Sequence, residues 1–214
     1  MDRLPRGRHG LSPEFVAQNQ RERLITGLIQ VLYEVGYQKT TVSLIGQKAA
    51  VSKSDFYKHF ESKDDCFIAA YETAVGQIGQ RIHTVCAEEE DESWVARTRL
   101  AIEAMLALFS ERPALASIVL VEGLRAGRDV HDCYQKAIDS FVCYLRRGAP
   151  PGPGGAGVPE ATDEAIVGGI VAVLGRRVLA GESERLAELY PEVLEFALTP
   201  YLGAEQARRI VSAG

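Results

Sequence analysis

Apolar residues recur at intervals of three and four along nearly the whole chain, and no run alternates with period two. A chain patterned this way is all-α. Leu24, Ile25, Leu28, Ile29, Leu32 and Val35 share one face of a first amphipathic helix, with Gly36 placed to end it as a left-handed cap. Upstream, Ser12-Pro13 has the form of an N-cap followed by proline at the first helical position. Two short periodic runs follow between Thr40 and Phe60. The pattern then predicts helices over 63–88, 92–110, 113–126, 130–147, 163–180 and 185–202, with Pro191 kinking the last or delaying its start. The stretch APPGPGGAGVPE at 149–160 is rich in Gly and Pro and predicts a mobile loop in which nothing packs. It lacks the lysine of a phosphate-binding loop and follows no strand.

The segment TTVSLIGQKAAVSKSDFYKHFESKDD, residues 40–65, repeats one local device three times. Thr41 can cap a helix over 42–49 whose inner face is Val42, Ile45 and Ala49. Ala50-Val51 makes the turn. Ser52 caps a second helix, Asp55 completes a reciprocal capping box with it, and Val51 with Phe56 forms the hydrophobic staple. Phe56 and Phe60, four apart, bury the inner side. Ser62 then caps a third start at Lys63. Two short helices joined by a tight turn and packed on a longer first helix make a helix-turn-helix. With both phenylalanines inward, Lys53, Ser54, Tyr57 and Lys58 face outward, at the end of a helix that enters a major groove in such modules. Lys53 can donate to guanine, Ser54 is small enough for close approach, and Thr41, Tyr57, His59 and Lys63 can donate to phosphate.

Charge supports this division of labour. The 214-residue chain has a formal net charge of −5, yet residues 1–63 carry +4 and the remainder −9. A basic head on an acidic body points to a polyanion met by the head alone. Arg3, Arg6, Arg8 and His9 lie in a Gly- and Pro-containing N-terminal stretch suited to a flexible arm over 1–18. Such an arm could lie in a minor groove or float free in solvent.

The series Gly36-Tyr37, Thr40-Thr41-Val42, Ala50-Val51-Ser52-Lys53-Ser54, Phe56-Tyr57-Lys58-His59-Phe60 and Ser62-Lys63 resembles the DNA-binding signature of the tetracycline-repressor (TetR) family over about residues 19–67. The resemblance implies a three-helix DNA-binding domain, over 19–64, and a larger helical domain, over 65–214, that dimerises and holds an effector. It also implies phosphate contacts from Thr41, Tyr57, His59 and Lys63, base or groove contacts from Ser52, Lys53 and Ser54, and a place for Tyr37 near the DNA-facing surface. Ala50 stands where the family usually has glycine; a left-handed backbone there would cost alanine about 1 kcal/mol. Asp55 stands where a small residue or Thr is more usual, which leaves base preference there unassigned.

Beyond residue 64 the motifs end. EAIVGGIVAVLGRRVLAG, 164–181, sets Gly168, Ala172 and Gly175 at helical spacing, fit for close helix approach. With Leu186, Leu189, Val193, Leu194 and Phe196 it could form a four-helix interface with a second copy, or pack internally. Trp94, Met105, Phe109, Leu120, Tyr134, Phe141 and Tyr144 are candidates for an apolar effector cavity or for plain core. Glu122, amid SIVLVEGL, could orient a ligand or pair with Arg125. His83 and Cys86 are three apart, but no second ligand pair stands near them, so no metal is expected. The four cysteines show no pairing framework and read as free thiols. No catalytic spacing or cofactor fingerprint occurs. No signal peptide is evident and the most apolar stretch is too short to span a bilayer, which suits a cytoplasmic protein. The expectation is a non-enzymatic regulator that binds palindromic double-stranded operator DNA as a homodimer and answers to a small molecule. The alternative keeps DNA binding but makes the body a protein-interaction module.

Overall fold

The computed structural model describes residues 12–88, 93–126, 128–155, 157–159 and 161–213; the arginines of the N-terminal arm lie outside them. Among the described residues every regular element is helical. Helix α1 spans Pro13–Val35: the Ser12 hydroxyl accepts the Phe15 N–H, proline opens the first turn, and Gly36 ends the helix at φ 74°. Its inner face buries Leu24, Ile25, Leu28 and Leu32, whereas Val35, expected on that face, lies past its neighbours and is exposed.

Helix α2 spans Val42–Ala49 and α3 Lys53–His59. The Thr41 hydroxyl accepts the Leu44 N–H, and the Ser52 hydroxyl accepts the Asp55 N–H. Between them Ala50 sits at φ 50°, ψ 45°, the left-handed region that alanine adopts at a cost. Arg23 of α1 donates to the carbonyls of both Ala49 and Ala50, holding the turn from behind. Two glycines allow the layers to close: a Cβ on Gly46 would lie 2.7 Å from the Val51 carbonyl, and one on Gly27 3.1 Å from the Ala49 nitrogen. Val51, Phe56 and Phe60 are buried together in the core.

Helix α4, Lys63–Ala87, leaves the head through the Ser62 cap and runs into the body, burying Phe67, Tyr71, Ala74 and Ile78. Against it pack α5, Trp94–Glu111, and α8, Arg128–Arg146. The single helix expected over 113–126 is instead α6, Pro113–Ser117, a π-helical segment Ile118–Glu122, and α7, Gly123–Arg125. The wide turn lies beside a close approach, since a Cβ on Gly175 of α9, Ala161–Leu179, would meet the Leu120 carbonyl at 3.0 Å. Pro191 delays the last predicted helix rather than kinking it: a 3₁₀ segment Ser183–Leu189 precedes α10, Tyr190–Leu202. A further helix, α11, Ala204–Ser212, follows Gly203 and had no counterpart in the predicted elements.

The 149–160 stretch also departs from expectation. Ala149 and Val158 pack on the core, and Gly152 sits with its Cβ position 3.0 Å from Val158. One hydrophobic cluster runs without a break from Leu24 in the head to Ala207 in the body. All four cysteines are unpaired, and burial pushes the Cys66 thiol up to about 12. Among the described residues no single helix is long and apolar enough to cross a membrane.

Candidate nucleic-acid interface and the cavity behind it

Burial of Phe56 and Phe60 rolls α3 so that Lys53, Ser54, Tyr57 and Lys58 stand exposed. Tyr57 is 52% exposed, yet its ring meets Phe56 edge-on at 5.4 Å, which fixes the direction of its hydroxyl. Thr41 and Ser52, the two caps, are also exposed, and Ser43 and Gln47 of α2 line a shallow groove with Ser52 and Lys53. The helix-turn-helix therefore presents one continuous outer surface.

Several of its polar groups already have partners. The Asp55 carboxylate accepts from the Ser52 hydroxyl at 2.7 Å and from Lys58 at 2.7 Å, so the reciprocal box closes through the serine side chain. The Lys58 bond, then that of Ser52, holds the Asp55 carboxyl below its ordinary range. The His59 Nε2–H donates to Gln20 Oε1 at 3.1 Å, and burial depresses the ring's basicity. Lys63 is half-buried: its ammonium donates to the Tyr37 carbonyl at 3.1 Å and sits 3.8 Å from the centre of the Tyr37 ring. Tyr37 itself is buried rather than presented to a duplex, its hydroxyl donating to Asp64. Lys39 and Lys53 have no acidic partner among the described residues.

The body encloses a cavity of about 90 Å³ walled by carbon. Met105, Phe109, Leu120, Tyr134, Phe141 and Tyr144 line it, joined by Tyr71, Ile82 and Thr98 and by Ile166, Val167, Ile170 and Leu174 of α9. Trp94 and Glu122 do not. The Trp94 indole N–H donates to the Leu145 carbonyl at 2.6 Å and its ring packs on Tyr201 at 4.7 Å, so it braces the end of the bundle. Glu122, 3% exposed, turns the other way and accepts the Tyr37 backbone N–H at 2.8 Å, with Arg125 at 3.5 Å. That bond joins the head to the π-segment whose Val119 and Leu120 wall the cavity.

Helix α9 uses both of its faces, as its nearly unbroken apolar sequence permits. Gly175 packs internally on Leu120, while Gly168 and Ala172 are exposed with Val173 and Leu179. Leu186, Leu189, Val193 and Leu194, candidates for a subunit interface, are core residues; Phe196 remains 48% exposed. Among the described residues no three His, Cys, Asp or Glu side chains are placed to hold a metal, and Cys86 instead approaches the Tyr144 hydroxyl at 3.4 Å.

Comparison with known proteins agrees with this geometry. Residues 24–70 match the family of bacterial regulatory proteins described as the tetR family. The chain is 29% identical over 80 residues to the fatty acid metabolism regulator protein of Bacillus subtilis, 37% of this chain and 39% of that protein's length. It is 27% identical over 158 residues to an uncharacterized HTH-type transcriptional regulator of Mycobacterium bovis, 70% of this chain and 78% of that one. The fold is similar to that of the regulator FadR from Bacillus subtilis in complex with stearoyl-CoA. That match has a TM-score of 0.72 at 19% identity and covers 84% of this chain and 98% of that one. FadR from Bacillus halodurans matches with a TM-score of 0.72 at 18% identity, over 89% and 97% of the two chains.

Proposed function

Because the chain belongs to the TetR family of DNA-binding transcriptional regulators, we propose that it is a homodimeric repressor released from a palindromic operator by a small apolar effector. The observation that carries the DNA half is the outward row Lys53, Ser54 and Tyr57 on a short helix pinned by buried Phe56 and Phe60. Twofold symmetry sets two such helices in major-groove half-sites roughly 34 Å apart. Ser52, Lys53 and Ser54 meet base edges or the groove, Tyr57 and the Thr41 cap meet phosphates, and Lys58, His59 and Lys63 contribute once their internal partners yield. Repression follows from occupancy, in the cytoplasm where the DNA is.

The cavity supports a small-molecule effector over a protein-interaction role for the body. Its carbon walls suit an apolar portion of a ligand, and the fold is similar to that of a regulator solved with stearoyl-CoA. To turn a mostly bound population into a mostly free one, the effector discriminates between the two states by about 5 kcal/mol. The exposed apolar side of α9, with Phe196 of α10, suits a second copy of the chain.

Selection of bound fragments from random DNA by the purified protein tests this reading. The expected product is an inverted repeat whose half-sites lie about one helical turn apart. No enrichment, or a Tyr57→Ala variant that keeps both its helix content and its operator affinity, counts against it. Val173→Glu combined with Leu179→Glu should leave a folded monomer in sedimentation; an intact dimer would move the interface elsewhere.

A further inference from the structure

The cavity has a cationic porch. A surface groove between α4, α5 and α8 shares Ile82, Phe141 and Tyr144 with the cavity, so these three side chains are the partition between them. On the groove side the walls change character: His83, Arg97, Ser140 and Arg147 line it. Among the described residues no carboxylate pairs with either guanidinium or with the imidazole. Arg97 donates one nitrogen to the Arg147 carbonyl at 2.6 Å, which brings the start of α5 and the end of α8 together. Its Nε is shut from solvent with no acceptor. Two guanidiniums thus stand without counter-charge among the described residues, beside the side chains that wall the cavity. Gly79 leaves the α4 side of the groove open, with nothing within 4 Å of where its Cβ would lie.

We propose that the effector is an amphipathic anion, its hydrocarbon tail passing the Ile82–Phe141–Tyr144 partition into the cavity and its carboxylate or phosphate head held by Arg147 and Arg97. This deepens the effector reading above and rests on it. Arginine forks match both head groups, and a head left in the groove stays hydrated while the tail is buried. The Cys86 thiol and Tyr144 hydroxyl, 3.4 Å apart, stand at the threshold and can meet the polar end of the tail. One feature opposes an anion: residues 88–92 are all acidic and follow α4, with Glu88 exposed at its end. The head-group preference therefore depends on the two forks rather than on the general field.

The test uses the full chain and probes with one decyl tail: decanoate, decyl phosphate, decanoyl-CoA, decanol and decyltrimethylammonium. Binding is measured by calorimetry and release by fluorescence anisotropy of a labelled operator. At least one anionic probe should bind ten-fold or more tighter than decanol, and comparison of decanoate with the two phosphate-bearing probes identifies the head group. Among the described residues the Arg147 side chain makes no internal bond, so Arg147→Gln should keep the fold, lose that ten-fold, and leave decanol binding unchanged. Arg147→Lys should recover part of the loss. Equal binding of decanol and every anion, tighter binding of the ammonium probe, or an Arg147→Gln variant with intact anion preference would overturn the head-group assignment while leaving the effector cavity standing. Failure of every decyl probe to bind would overturn both.

Discussion

Replacing Glu122 by alanine is the perturbation that most directly probes how the body is joined to the head. Its carboxylate is the acceptor for the buried Tyr37 N–H, a residue eighty-five positions away. Alanine leaves that donor without a partner, at a cost of about 1–3 kcal/mol. The Arg125 contact adds little, because the distance is 3.5 Å and the guanidinium is half exposed. Removing a carboxylate that is 3% exposed gives back part of its desolvation, so a net loss of about 2 kcal/mol is expected. For a chain of this size that is a fall in Tm of about 4–8 °C. Glu122→Gln keeps an acceptor oxygen and should lose less than about half as much. The functional consequence is separable from stability. Because the π-segment carries both Glu122 and the cavity-lining Val119 and Leu120, alanine should leave ligand affinity within about two-fold while weakening ligand-driven operator release. Thermal unfolding and anisotropy titrations with and without ligand measure the two effects. A Tm within about 1 °C of the parent, or undiminished release by a ligand that still binds, would refute the reasoning.

Ala50→Gly should stabilise the protein by about 0.5–1 kcal/mol, since relief of the left-handed strain exceeds glycine's extra unfolded-state entropy; chemical denaturation at constant m-value checks it. Lys53→Gln should lower the slope of log affinity against log salt by about one. Lys58→Gln should lower it by less, because Asp55 already neutralises that ammonium; equal slopes would refute the assignment. The His59 Nε2–H is committed to Gln20, leaving Nδ1 a bare acceptor in the neutral ring, so a phosphate contact requires the imidazolium. Because burial holds the folded ring below the ordinary imidazole value, operator affinity should rise as pH falls toward that depressed value, and become flat in His59→Gln. The stability effect has the opposite sign: burial depresses the folded-state pKa, the unfolded chain binds the extra proton, and stability is lost as pH falls below 6.5.

What the sequence revealed and what it hid divide along contact range. Ser12, Thr41, Ser52 and Ser62 each accept an N–H three residues on, as local spacing foretold. The inward turn of Phe56 and Phe60 follows from the same short register. Arg23 reaching Ala49 and Ala50, and Glu122 reaching Tyr37, have no period to betray them. Trp94 is open by sequence to either a cavity or plain core, and its N–H finds a carbonyl fifty-one residues away. The α9 stretch, with its small residues and the apolar residues of the last helix, suits either a subunit interface or internal packing by sequence. Its branched residues at 166, 167, 170 and 171 turn inward to the cavity, a division that only the packing of α9 against the π-segment decides. Helix α11 buries only Ala207 fully, with Ile210 and Val211 partly buried at helical spacing, so its period spans barely two turns.

The head's positive balance also means something different once the partners are known. Arg23 holds the turn, Arg21 lies over the Phe60 ring at 5.1 Å, Lys48 pairs with Glu34, Lys58 with Asp55, and Lys63 caps Tyr37. Most of the described cations thus shape the helix-turn-helix before they meet DNA. On the proposed reading Lys53 and Lys39 are left for direct attraction, together with neutral donors: the Tyr57 and Thr41 hydroxyls and the backbone N–H groups at the starts of α2 and α3. Neutral donors release no counterion, so they add affinity that salt does not erode. They also demand an oxygen at a fixed position, which in the proposed homodimer would favour a duplex whose groove geometry suits two heads at one spacing. A surface built this way gains its selectivity from placement, and placement is what a shift of the π-segment, passed through Glu122 to Tyr37, would change.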